Sequence, residues 1–368
     1  MGKRMVTDRQ SGRFPRSGVS RALPFLSAEQ VAKNTSWLLA SGSAPVRYLT
    51  QRHLLHTPVA SKAMRALWQD VECSPDVREM FAAQDRDGSW FAGGSWSLKP
   101  SYTLKSGRDP FTPKYVTTVW ILPLLGEIGF TAHDPRIRRA CDFVLSHGYF
   151  RAPLLDQLLD AVRKDRDAFG PCRLTQYMIA LGLVGLAADP RARKGYEILL
   201  ITQRDDGGWV WSGHYDMYHW TRSCPYPTYG AVAALYHSGN RAYRSALVKG
   251  MNFLLWHLTI RKDNELQAFF YHGHSILHEL TMFSEYGLGM NQSPVRTILK
   301  WLKEMYHPEE GYFRYAGKPP SRFTNRDDGM EPRVAKYRLY HIIEPDWLTY
   351  RLTRIALNLL ALPKAAAV

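Results

Sequence analysis

Gln203-Arg204-Asp205-Asp206-Gly207-Gly208-Trp209 is the stretch whose reading decides the fold. It closes a helix-like run over 193–201 with a Gln, an acidic pair, two glycines and a tryptophan. Gln84-Asp85-Arg86-Asp87-Gly88-Ser89-Trp90 repeats it, with Gln again six residues before Trp and three before an Asp-Gly. His307-Pro308-Glu309-Glu310-Gly311-Tyr312-Phe313 is a worn third copy that keeps the acid-Gly step and ends on Phe. Each follows an amphipathic apolar run, and a recurring unit of this kind marks an internal repeat. Physically the heptamer is a helix stop. Glycine supplies the positive φ of a helix C-terminus, the acid bonds nearby backbone in a tight turn, and the aromatic covers the exit. Asp87, Asp205 and Asp206 therefore read as structural, with a catalytic acid among them as the other reading.

Outward from the heptamers the chain reads as helix pairs. The expected helices are 29–40, 44–55, 76–83, 116–128, 136–146, 174–188, 192–201, 228–237, 241–258, 274–286, 293–305 and 348–360. Asp134-Pro135, Asp189-Pro190 and Ser293-Pro294 are start signals, a good N-cap or first-turn residue followed by proline. Strand patterning is poor. Threonines stand near the start of the first helix of most pairs: Thr50, Thr118, Thr175, Thr228 and Thr349. The first helix of each pair is the more apolar, so it belongs to an inner layer, and the second carries the Arg and Lys that face water. The expected fold is all-α, an (α/α) toroid of five or six pairs over residues 28–362, preceded by a disordered basic arm over 1–27 and followed by a tail over 363–368.

Composition narrows the function. The 368 residues are 45% hydrophobic and 22% charged, an ordinary soluble balance. No apolar run approaches the roughly 18 residues of a membrane span, and residues 1–21 lack the apolar block of a secretory signal. Cys73, Cys141, Cys172 and Cys224 form no CxxC pair, which fits a reducing, cytoplasmic setting. The net charge of +15 suits an anionic ligand or peripheral contact with a membrane surface. It does not point to nucleic acid, since no zinc finger, RNP aromatic pair or dense basic helix is present. Oligomeric state leaves no mark on the sequence.

The order apolar helix, polar helix, then Gln-x5-Trp enclosing Asp-Gly resembles the QW repeat of the terpenoid cyclase and protein prenyltransferase α/α toroid superfamily. Gly195 to Trp209 is the best match, and 249–255 looks like the front half of another repeat. Ser43-Ala44-Pro45-Val46-Arg47-Tyr48-Leu49-Thr50 is similar to the opening of a bacterial squalene-cyclase-like group without a settled activity. The resemblance implies an aromatic-lined central cavity and an isoprenoid-like substrate. The chain departs from the superfamily's motifs. Asp85-Arg86-Asp87-Gly88 and Asn325-Arg326-Asp327-Asp328 do not complete the Asp-x-Asp-Asp of an alkene-protonating cyclase. Asp216 and Cys224 stand eight apart, where a zinc prenyltransferase has Asp-x-Cys.

In a ring of pairs the long connections gather at the mouth where inner helices begin, and their N-terminal dipoles favour an anion there. The densest cluster of chemistry lies in 214–224, with His272, His274 and His278 after it. Asp216, His219 and Asp346 are candidates for acid–base work, Asp346 also standing where an N-cap belongs. Asp216, Cys224, His272 and His274 are ligand types zinc accepts; the other reading is that the histidines are hydrogen-bonded cavity polar groups. Trp211, Tyr215, Tyr218, Trp220, Tyr226 and Tyr271 could bind substrate through aromatic faces, with Arg222 for an anionic group; core packing is the other role of such aromatics. Two functions follow. One is a cyclase, lyase or transferase acting on a hydrophobic, isoprenoid-like or anionic substrate, with zinc as the cofactor these ligands suggest. The other is a non-catalytic toroid holding a lipid-like ligand or a partner protein.

Overall fold

The computed structural model describes residues 25–90, 117–210, 223–260, 276–315 and 344–361. Among these the chain is all-α but for one two-stranded ribbon, β1 (Tyr306–His307) against β2 (Tyr312–Phe313). The helices are α1 (Ala28–Ser41), α2 (Ala44–Leu49), α3 (Lys62–Cys73), α4 (Pro75–Ala82), α5 (Thr118–Ile128), α6 (Pro135–Ser146), α7 (Leu154–Lys164), α8 (Cys172–Leu183), α9 (Pro190–Ile201), α10 (Pro225–His237), α11 (Arg244–Ile260), α12 (Ile276–Tyr286), α13 (Ser293–Lys303) and α14 (Pro345–Ala361). A π-turn, Thr50–Leu54, continues α2.

The two kinds of helix expected from the sequence differ in burial. Helix α5 buries nine of its 11 residues, whereas α13 buries a single stripe of Val295, Ile298, Leu299 and Leu302. A helix apolar on all sides must be covered on all sides. Accordingly α5 packs on α8, α8 on α10, α12 on α14, and α14 on α2 and its π-turn, while α2 also touches α5. Helix α1 lies against α14, so the beginning of the described chain meets its end.

The heptamers are what join these helices. Trp209 is fully buried, and its indole N–H donates back to Leu199 O of the helix it ends (2.8 Å). Its backbone N–H donates to Thr228 Oγ1 on α10 (3.0 Å). Gln203 Nε2 donates within the turn to Gly207 O (2.9 Å) and across to Ala246 O in the first turn of α11 (2.8 Å). One turn thus fixes the end of α9 and the starts of α10 and α11. The earlier copy does the same: Trp90 reaches Met80 O and Thr118 Oγ1, and Gln84 reaches Gly88 O and Arg136 O. In the third, Phe313 N–H donates to Thr349 Oγ1 on α14 (2.8 Å), while Lys33 of α1 donates to Pro308 O (2.7 Å). That copy therefore binds the chain's C-terminal helices to its first one. Gly207 has φ +89° and an added Cβ would lie 2.5 Å from Lys249 O, so only glycine fits that close approach.

The acids of the heptamers are occupied in these turns. Asp206 accepts from Gly208 N, Ser223 N and Ser223 Oγ, Asp87 from Ser89 N and Oγ, and Asp205 pairs with Arg166. The structural reading of all three is what the contacts support. The two Asp-Pro starts also match: Asp134 and Asp189 each accept from the backbone N–H two residues on (2.8 and 2.9 Å) and bind that residue's guanidinium.

Several boundaries differ from the sequence expectation. Phe25, Leu26 and Ser27, assigned to the arm, belong to the packed chain: Phe25 and Leu26 are buried, Phe25 stacks on Phe313, and Ser27 caps α1. Helix α8 stops at Leu183 because Gly185 adopts φ +84°. Helices α3 and α7 and the β-ribbon add to the expected elements. No described helix is long and apolar enough to cross a membrane.

Candidate functional site

One cavity of about 250 Å³ is faced by α2 with its π-turn, α5, α8, α10, α12 and α14. Those are the apolar first helices of the pairs, so the cavity lies where their inward faces meet. Leu49, Leu183, Ala233 and Met282 supply apolar wall. Helix α14 contributes Trp347, Tyr350, Arg351 and Arg354, spaced i, i+3, i+4, i+7 and hence on one helical face. The π-turn brings in Arg52 and His53; π-bulges recur at functional sites because the extra residue re-aims its neighbours. Close approach of α5 and α8 at Gly126, where a Cβ would meet Leu183 Cβ at 2.7 Å, sets Glu127 at the wall.

Two polar networks cross this cavity. In the first, Glu127 Oε2 accepts from Arg351 Nη2 at 2.9 Å and Oε1 lies 3.3 Å from His278 Nε2. Burial alone would raise the Glu127 carboxyl, but the Arg351 and His278 charges outweigh it and hold Glu127 far below the usual carboxylate range. His237 stands beside them. Burial lowers its pKa to about 4 against the pull of Glu127, with His278, Arg354 and Arg351 adding to the depression. In the second network His53 Nδ1 and the Tyr350 hydroxyl share a hydrogen bond of 2.5 Å. Burial, then Arg354, Arg52 and His56, lower His53 to about 3. Arg354 pairs with Glu285, which also accepts from the Tyr236 hydroxyl. Burial pushes the Tyr229, Tyr236 and Tyr350 hydroxyls up.

At neutral pH the lining therefore offers neutral imidazoles at positions 53 and 237, an ionised Glu127 and three guanidinium groups, all within an apolar and aromatic wall. Neutral imidazole and carboxylate accept hydrogen bonds, and guanidinium binds anions. No protein-family model, curated protein or solved structure matches this chain. The chemistry of the site rests on the geometry alone.

None of the site candidates read from the sequence is among the described lining residues. Trp211, Tyr215, Asp216, Tyr218, His219, Trp220, Arg222, Tyr271, His272 and His274 lie outside the described residues. Tyr226 is exposed on the first turn of α10. Asp346 lies inside α14 rather than at its N-cap; its Oδ1 accepts from Trp347 N, and its Oδ2 accepts from Ser43 N at 2.9 Å and so ties the starts of α2 and α14. Cys224 is a free thiol at the start of α10, and burial raises its pKa despite the Tyr226 backbone bond. Cys224 is the one described member of the expected zinc set, whose other members, Asp216, His272 and His274, lie outside the described residues. Among the described residues no three His, Cys, Asp or Glu side chains converge as a metal site.

Of the cavity residues, His278 stands within the His cluster noted in the sequence. Glu127, His237, His53, Arg351 and Arg354 carry a weaker signal. Glu127 is the sole charged residue of α5, and Arg351 and Arg354 interrupt apolar residues of α14. An ionisable group within a helix that must be covered on all sides requires a buried partner.

Proposed function

We propose that six helix pairs close into an α/α toroid, the sixth formed by α14 with α1, and that its lumen is an enzyme site for an isoprenoid-like or other hydrophobic substrate. The observation that carries this reading is the cavity faced by every apolar first helix. The three-way heptamer turns support it, since each of the first two links one pair to the next and the third links the first and last described helices. Arg351 and His278 hold Glu127 ionised, and burial keeps His53 and His237 neutral. All three are therefore weak bases at neutral pH, so they suit polar anchoring of a substrate in an apolar wall better than proton removal, and alkene protonation, as in a cyclase, demands an acid.

The non-catalytic reading keeps the toroid and makes the lumen a holder for a lipid-like ligand. It is favoured by the raised tyrosines and the ionised Glu127, which leave no strong acid among the described lining groups. Native mass spectrometry of the full chain tests both readings. The wild type should carry a co-purified apolar ligand that Ala233→Phe, which fills the cavity wall, excludes while circular dichroism stays unchanged. A ligand whose mass changes during incubation supports the enzyme, and a constant mass supports the holder. Identical ligand-free spectra for both proteins would overturn the lumen reading.

A further inference from the structure

The charge of the lumen says more about its ligand than its shape does. Arg52, Arg351 and Arg354 face the cavity, against Glu127 in the lining and Glu285 paired to Arg354. Glu279 is buried on α12 but does not line the cavity. His53 and His237 are neutral, and His278 shares the Glu127 carboxylate. Arg351 pairs with Glu127 and Arg354 with Glu285, whereas Arg52 has no carboxylate partner among the described residues. The Arg351 side chain is only 10% exposed and donates to Glu127 through Nη2, yet its buried Nε has no hydrogen-bond partner among the described residues. A buried guanidinium with a spare donor is a binding site for an anion, because burying such a donor unmet is costly. A dianion or a diphosphate would reverse the local balance, whereas a single carboxylate closes it and matches the guanidinium fork in shape.

We infer that the cavity takes an apolar ligand headed by one carboxylate, bound by Arg351 with Arg52 and Arg354, while Leu49, Leu183 and Met282 cover its chain. This rests on the lumen being the ligand site. The volume of about 250 Å³ lies at the small end of ligand pockets, which selects a chain of medium length. Binding involves no covalent step.

Calorimetry of the full chain at low salt with decanoate, 1-decanol and decyl phosphate tests the head group. Decanoate should bind at least about tenfold tighter than decanol, the scale of charge-assisted hydrogen bonds, and also tighter than the phosphate. Glu127→Gln frees donors of Arg351 and adds one unit of positive charge, so it should tighten decanoate and leave decanol unchanged. Arg52→Gln, which removes a lining cation without stripping Glu127 of its partner, should weaken decanoate alone. Equal affinity for decanoate and decanol, tighter phosphate, or weaker decanoate binding in Glu127→Gln would overturn the carboxylate while leaving the lumen reading intact. Failure of all three ligands to bind would overturn both.

Discussion

Replacing each of the five marker threonines by valine grades the heptamer mechanism residue by residue. The substitution preserves shape and removes only the hydroxyl. All five threonines are buried, at 0–1% exposure, so solvent cannot substitute for a lost partner. At Thr118, Thr228 and Thr349 the hydroxyl accepts the backbone N–H of Trp90, Trp209 and Phe313 at 2.8, 3.0 and 2.8 Å. Valine there deletes a hydrogen bond worth about 1 kcal/mol and leaves a buried N–H unmet, worth about 1–3 kcal/mol more, for a total of roughly 2–3 kcal/mol after the gain of apolar surface. Thr175 instead donates to Cys172 O of its own helix. Its loss should cost about 1 kcal/mol. Thr50 Oγ1 has no hydrogen-bond partner among the described residues, so Thr50→Val should be neutral or stabilising by up to about 1 kcal/mol. Equilibrium urea unfolding, followed by tryptophan fluorescence and circular dichroism, reads all five on one scale, with m-values checking that the unfolding transition stays comparable. A cost for Thr50→Val equal to that of Thr228→Val, or a cost below about 0.5 kcal/mol at all three acceptor threonines, would refute the claim that these hydroxyls hold one pair to the next.

Further outcomes follow from the same contacts. Gly207→Ala should lower stability by more than about 2 kcal/mol, because it adds left-handed strain to a Cβ placed 2.5 Å from Lys249 O; denaturant titration checks it, and a neutral result would mean the turn relaxes freely. Arg351→Met leaves the buried Glu127 carboxylate with His278 alone and should cost about 3 kcal/mol, whereas the double variant with Glu127→Met should recover most of it; a double-mutant cycle with no coupling would remove the pair from the account. His237 and His53 have pKa values near 4 and 3 when folded, against 6.5 for the ordinary imidazole. The unfolded chain therefore takes up their protons first, and stability present above pH 6.5 is lost as pH falls toward 4. The urea midpoint should drop across that window, and a variant carrying both His53→Gln and His237→Gln should show a flatter profile between pH 6.5 and 4.5, before carboxylates titrate.

Much of the fold was legible because its signals are local. The Asp-Pro starts and the contrast between α5 and α13 each depend on a few neighbouring residues, and the contacts bear them out; the heptamer glycines shape the turn that follows each helix rather than cap it. The candidate site was less legible. The chemistry-bearing residues are densest in the His and aromatic stretch at 214–224, most of which lies outside the described residues, while the cavity draws its polar groups a few at a time from several distant segments. Glu127 and Arg351 are 224 residues apart, and nothing in either neighbourhood names the other. Asp346 shows the same limit: its place before an apolar run suggests a cap, and in the structure Oδ1 does accept the first-turn Trp347 N–H while Oδ2 accepts from Ser43 N, a partner 303 residues away.

The heptamer makes the tight turn after a helix, because glycine's backbone freedom and an acid's reach to nearby amides are properties of a few residues; the helix itself ends earlier, α9 with its C-cap at Thr202 and α4 with its C-cap at Ala83, five residues before the positive-φ Gly207 and Gly88. The all-α class and the alternation of apolar with amphipathic helices follow from that and from periodicity alone. Which helix the Gln, Trp and Thr of each turn would join, and which lone charges would meet in the cavity, depended on tertiary packing. A buried ion needs a counter-charge within a few ångströms, and only the packed arrangement of α2, α5, α10, α12 and α14 supplies it.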